Sequence, residues 1–156
     1  MNRSSRIVRS YLEETRLTAC THNYYPRGTV RCANSPLFRS AVARDVACLL
    51  DVDSEVTSWY CLPLELQAGS LRHVPDFEVI CGDTSYLLDV DHPPVWVGEA
   101  ASSVGYDYRS NPYDMEILSQ RLANARDLLR YATYNVSLGD KIRLLSLLDE
   151  YGSMSI

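Results

Sequence analysis

Three aspartates, Asp76, Asp89 and Asp91, are the residues in this chain whose type and spacing could do chemistry. Asp89 and Asp91 are at alternate positions, so on an extended strand both side chains point to one face. Asp76 follows Pro75 at the head of VPDFEVICG, and Gly82-Asp83 marks a turn before SYLLDVD. If these two runs pair antiparallel, the start of the first lies beside the end of the second, and three carboxylates converge. Oxygen ligands without Cys or His suit Mg²⁺ or Mn²⁺. Such an ion activates water and neutralises the charge developing at a phosphodiester, as metal-dependent strand cleavage requires. Acids at strand ends can also simply face solvent, and spacing alone leaves both readings open. His73, beside the same run, could assist as an acid or base or be an ordinary strand residue.

The elements that must position these groups are legible from local pattern. With 156 residues and 46% hydrophobic content, the chain can bury one core of ordinary size. Ser35-Pro36 looks like a helix start, and Leu37, Phe38, Val42, Val46, Leu49 and Leu50 recur near a 3.6-residue period, predicting a helix over about 36–50. VTSWYCLPLELQ, VPDFEVICG and SYLLDVD, separated by turns at Ala68-Gly69-Ser70 and Gly82-Asp83, predict a three-stranded meander. Beyond Pro93-Pro94, VWVGEA is expected to be a fourth strand and 102–113 a loop. Ile117, Leu118, Leu122, Ala125, Leu128 and Leu129 predict an amphipathic helix over about 114–134, with Arg121, Arg126 and Arg130 on its polar side. DKIRLLSLLDEYG predicts a third helix, closed by Gly152. The expected fold class is α/β: a core over 35–135 of helix, three- to four-stranded mixed sheet and helix. An N-terminal arm over 1–34 and a C-terminal helix over 136–156 flank it.

FRSAVARDVACLLDVDSEVTSWYCLPLEL followed by VPDFEVICGDTSYLLDVD resembles the amino-terminal nuclease domain of TnsA-type transposon endonuclease subunits, in the PD-(D/E)xK restriction-endonuclease-like superfamily. The similarity covers about residues 36–92. It implies a restriction-endonuclease-like core in which Asp76 and Asp89 hold Mg²⁺ or Mn²⁺. It also puts Asp91 where the family usually carries a catalytic lysine. The only lysine, Lys141, lies some fifty residues further on. The family's first helix usually contributes a Glu, and the matching positions here hold Arg39 and Ala43. Asp45 is two residues beyond Ala43, roughly 200° around a helix, and faces elsewhere. The partners implied are DNA and a protein such as a transposase or another mobile-element component. LGDKIRLLSLLDEYGSMSI is similar to the first helix and turn of a winged-helix unit, as a truncated start of one, although a terminal helix packed on the core fits equally.

Charge is unevenly distributed. Residues 1–44 carry eight Arg against two Glu, whereas residues 45–109 carry two Arg against twelve acids, within a net charge of −5. The N-terminal segment therefore reads as a loosely structured basic arm, with a short helix near 5–15. It is either a solvated tail or a phosphate-seeking arm whose candidate nucleic-acid contacts are Arg27, Arg31, Arg39 and Arg44. Tyr24-Tyr25 and the Tyr106, Tyr108 and Tyr113 loop beside Arg109 could stack on bases or cap a core edge. Five cysteines without a CxxC pair argue against a disulfide framework, and the absence of a long apolar run predicts a soluble cytoplasmic protein without a membrane span. Three functions stay open: a metal-dependent DNA endonuclease of a mobile element, a catalytically lapsed nuclease fold that binds protein or DNA in a regulatory role, and an acidic DNA-mimic inhibitor.

Overall fold

The computed structural model describes residues 10–110 and 118–151 of the chain. The order is α1 (Tyr11–Cys20), α2 (Ala41–Val52), β1 (Ser58–Cys61), β2 (Leu66–Ala68), β3 (Leu71–His73), β4 (Phe77–Cys81), β5 (Thr84–Asp89), α3 (Val97–Ser103), β6 (Asp107–Ser110), α4 (Ser119–Leu129) and α5 (Leu138–Tyr151). The main sheet runs β1-β4-β5-β6, with β1, β4 and β5 antiparallel and β6 parallel to β5. The expected α/β architecture with a mixed sheet is therefore present.

The sheet is covered on both faces. Tyr86 and Leu88 of β5 face a cluster with Ala43, Val46, Ala47 and Leu50 of α2 and with Trp59, Phe77 and Val79. Leu87, on the opposite pleat, packs on Val97, Ala100 and Ala101 of α3 and on Leu66. Behind α2, Cys48 and Leu49 meet Leu122, Ala125 and Leu129 of α4. Burial pushes the Cys48 thiol up to about 11, so it packs there as a neutral apolar group. Among the described residues, no helix is long and apolar enough to cross a membrane.

Several expected elements are relocated. α2 begins at Ala41, where Ser40 Oγ accepts from Ala43 N at 3.1 Å, so Pro36 to Arg39 precede the helix. VTSWYCLPLELQ is broken by Leu62, whose φ of +46° and following Pro63 end β1, and its last residues start β2, which pairs with β3 in a separate hairpin. Residues of VWVGEA start helix α3 rather than a strand. Small Gly98, Ala100 and Ala101 let that helix lie close against the sheet, and a Cβ at Gly98 would stand 3.5 Å from the Tyr108 ring. The fourth strand is β6, within the stretch expected to be a loop, because β5 supplies it with a parallel hydrogen-bonding edge. The first residues of the helix expected over 114–134 lie outside the described residues, as does Gly152.

Among the described residues, from Ser10 onward, the basic segment is largely built into the body. Ser10 and Glu13 form a reciprocal capping box on α1, and Ala19 is buried in the main cluster. Arg16 donates to Leu62 O at 2.8 Å and to Pro63 O at 3.3 Å. Arg31 donates to the carbonyls of Asp53 and Val56. Arg44 is buried on α2 and donates to Pro26 O at 2.7 Å and Gly28 O at 2.8 Å, with its guanidinium over the Phe38 ring. An Arg44→Met substitution strands both carbonyls, and although it also removes a desolvated charge, it is expected to cost about 3 kcal/mol of unfolding free energy. Urea denaturation checks this, and a change below about 0.5 kcal/mol, the range of ordinary surface substitutions, would mean that Arg44 does not hold the segment in place.

Candidate functional site

Strand register brings two of the candidate carboxylates together by simple geometry. Phe77 pairs with Leu88 across β4 and β5, so Asp76, one step before β4, stands opposite Asp89, the last residue of β5. Both are buried. Asp76 N donates to Asp89 Oδ1 at 3.2 Å, and Val90 N donates to Asp76 Oδ2 at 3.0 Å. The Asp76 backbone is held in turn by Leu62, whose amide donates to Asp76 O at 2.9 Å from its left-handed conformation.

Arg39 occupies the space between the carboxylates. Its Nε lies 2.9 Å and its Nη2 2.7 Å from Asp76 Oδ1, and Nη2 is 3.2 Å from Asp89 Oδ1. Asp89 Oδ2 is taken by two further donors, the Tyr108 hydroxyl at 2.6 Å and His73 Nε2 at 2.8 Å. All four carboxylate oxygens therefore have protein partners. Burial pushes the Asp76 carboxyl above the usual carboxylate range, against the opposing pull of Arg39. Burial acts on Asp89 in the same direction, but the hydrogen bonds from His73 and Tyr108 outweigh it and hold Asp89 below that range. The Tyr108 hydroxyl is pushed up by burial and by its bond to Asp89, so it remains a donor.

The pair opens onto a cleft of about 300 Å³ lined by Arg39, Ser40, His73, Asp91, His92 and Pro94, among others. Asp91 is exposed on its rim, because β5 ends at Asp89 and the chain bends before the alternation can carry Asp91 inward. Asp91 accepts from His92 N at 2.9 Å and does not join the buried pair. Lys141 is on α5 and does not line the cleft. Asp45 faces α4, where it pairs with Arg126.

The implied Mg²⁺ or Mn²⁺ does not fit this arrangement. Among the described residues, no group of three or more His, Cys, Asp or Glu side chains is placed to hold a metal ion. The position between Asp76 and Asp89 is filled by the Arg39 guanidinium, whose fixed positive charge faces both carboxylates. The candidate nucleic-acid residues are also dispersed: Arg31, Arg39 and Arg44 are engaged internally, and Arg27 is exposed over the Tyr25 ring. Most other arginines of the described residues face acids, as in Arg121–Asp53, Arg126–Asp45, Arg130–Asp127 and Arg72–Glu65. Arg109 stacks on Tyr86 at 3.6 Å. Tyr113 lies outside the described residues.

Sequence reasoning singled out Asp76, Asp89 and His73, which the fold brings together, but gave Arg39 and Tyr108 other roles. The signal for Arg39 was a cation at a position where the resemblance implies an acid. Tyr108 carried no local signal, since its role depends on β6 pairing beside β5. No protein-family model matches the chain, and a search of curated proteins finds no match to it.

Proposed function

We propose that this chain is a nuclease-fold module, related to the amino-terminal domain of TnsA-type endonuclease subunits, that has a closed catalytic position and acts by binding rather than by cutting DNA. The observation that carries the reading is the Arg39 guanidinium seated between Asp76 and Asp89. The restriction-endonuclease-like core is supported by the order of elements: a helix, three antiparallel strands, a crossover helix and a parallel fourth strand, with the acids at adjacent strand ends. Loss of cutting is supported by a reciprocal exchange of charge. Relative to the family pattern, a cation replaces the helix-side acid at position 39 and an acid replaces the lysine at position 91.

A protein partner is favoured over DNA. Phosphate binding needs clustered cations free to release counterions, and the arginines among the described residues are mostly spent on backbone carbonyls and neighbouring acids. The resemblance implies a transposase or another mobile-element protein as that partner. The same pairing of acids with arginines weakens the DNA-mimic reading, because much of the acidic count is neutralised within the fold.

Nicking of supercoiled plasmid with Mn²⁺ and then Mg²⁺ tests the closed site. The wild type is expected to leave the plasmid intact, and titration calorimetry to show no Mn²⁺ binding. Metal-dependent nicking that disappears in Asp76→Ala would replace this reading with an active endonuclease in which Arg39, one-third exposed, swings aside.

A further inference from the structure

The stretch from Arg31 to Asn34 lies along β1. Cys32 forms a parallel bridge with Trp59, in which Trp59 N donates to Arg31 O at 3.0 Å and Ala33 N donates to Trp59 O at 2.8 Å. The Asn34 side chain continues the ladder: Cys61 N donates to its Oδ1 at 2.9 Å, and its Nδ2 donates to Cys61 O at 2.8 Å. Partners across a parallel bridge point to one face, and so do residues two apart on a strand. Cys32, Trp59 and Cys61 therefore share a face, and the Cys32 and Cys61 thiols are in hydrogen-bond contact. Cys48 sits behind α2 against α4, and Cys81 is at the opposite end of β4 from Phe77, the residue that pairs with Cys61.

The two thiols differ in access and acidity. Cys61 is fully buried in the main cluster, whereas Cys32 packs on the edge of that cluster and is only partly buried. The hydrogen bond from Cys61 holds the Cys32 thiol below its usual value, against the opposing effect of burial. The same bond, together with burial, pushes the Cys61 thiol up. An oxidant arriving from solvent thus meets the more acidic sulfur first, with a second thiol in contact behind it. We propose that Cys32 and Cys61 are a reversible redox pair, oxidised to an intramolecular disulfide by hydroperoxides. The Cys32 thiolate attacks one peroxide oxygen, the O–O bond breaks, and the leaving hydroxide takes up a proton as water, which leaves a sulfenic acid on Cys32. The Cys61 sulfur then attacks the Cys32 sulfur, the S–O bond breaks, and the departing hydroxide takes the Cys61 proton as a second water. Two electrons pass from the dithiol to the peroxide. Formation of the sulfenic acid also removes the Cys32 thiolate, whose hydrogen bond and charge help to raise Cys61, so the second sulfur becomes easier to deprotonate when it is needed. The link closes a loop of about thirty residues and pins the Arg31 to Asn34 stretch to β1, one residue before Leu62, whose amide holds Asp76 O. It stands independently of how the carboxylate site is read.

Mild hydrogen peroxide treatment of the full chain tests it, followed by catalase, denaturation, alkylation and mass spectrometry of the intact protein and its peptides. The wild type is expected to lose two of its five alkylatable thiols, to yield one crosslinked peptide pair joining Cys32 with Cys61, and to regain all five thiols in dithiothreitol. The oxidised form is expected to melt about 5 °C above the reduced form. Cys61→Ser is expected to stop at a sulfenic acid that dimedone traps on Cys32, and Cys20→Ser to form the disulfide as the wild type does. The peptide map of the wild type decides the matter even where Cys61→Ser does not fold. A wild type that keeps all five thiols overturns the proposal. So do crosslinks that join Cys32 or Cys61 to Cys20, Cys48 or Cys81 instead, and so does a disulfide that lowers the melting temperature, since such a link forms only by distorting the native fold.

Discussion

Arg39→Ala is expected to destabilise the protein by about 2–3 kcal/mol at pH 7.5, with the deficit shrinking toward pH 5. Removing one partner of a fully buried charge pair costs about 3–5 kcal/mol, and water at the one-third exposed Arg39 side chain reduces that figure. The pH dependence follows from the direction of the shifts. The Asp76 carboxyl is already raised by burial, and loss of Arg39 removes the charge that opposes the rise. Between the ordinary carboxyl value of about 3.9 and the raised one, the folded variant holds a proton that the unfolded chain has released. Stability therefore falls as pH rises through the raised value and is restored below it. Asp89 does not reverse this trend. Its lowered value contributes stability that is present above the unfolded carboxylate range and is lost only as pH falls below it. Urea unfolding of both proteins at pH 7.5 and pH 5 measures the effect. A deficit that is the same at both values would mean that Arg39 contributes packing rather than charge.

The opposite substitution tests what kind of site Arg39 closes. Arg39→Glu removes the guanidinium and places a third carboxylate against Asp76 and Asp89, in a cleft that already admits solvent. Like charges at that spacing destabilise the metal-free protein, and a divalent cation relieves them. The variant is expected to bind Mn²⁺ with a dissociation constant on the order of 50 μM, so that 1 mM Mn²⁺ raises its melting temperature by about 5 °C. The wild type is expected to show no such rise. Adding Asp91→Lys returns the family's charge order, and the double variant is expected to nick plasmid in Mn²⁺ where the wild type does not. A folded Arg39→Glu variant indifferent to Mn²⁺ would show that the carboxylate pair does not stand at a metal-binding spacing. The proposed kinship with nucleases would then lose its chemical support.

Local pattern alone determined a good part of this protein. The β4–β5 hairpin was legible because its signals lie within a few residues: β-rich runs flank Gly82, whose φ of +58° suits a two-residue turn. Once that hairpin forms, the meeting of Asp76 with Asp89 follows from antiparallel register. The apolar rows of α2, α4 and α5 were legible for the same reason, since a 3.6-residue period is a property of neighbouring positions. What only the tertiary structure decided depends on partners distant in sequence. Val97 has strand propensity, yet the packing of Gly98, Ala100 and Ala101 against Leu87 and Tyr108 makes that segment a helix. Residues 107–110 form a strand because β5 offers a free edge about twenty residues earlier in the chain. The described arginines of the first 44 residues read equally as a solvated tail or a phosphate-seeking arm because charge in a sequence carries no information about which carbonyls lie nearby in space. Arg39 follows the same logic: its type was visible from the start, but its place between two buried carboxylates exists only once α2, β4 and β5 are packed together, since a long side chain finds its counter-charges through the fold and not along the chain.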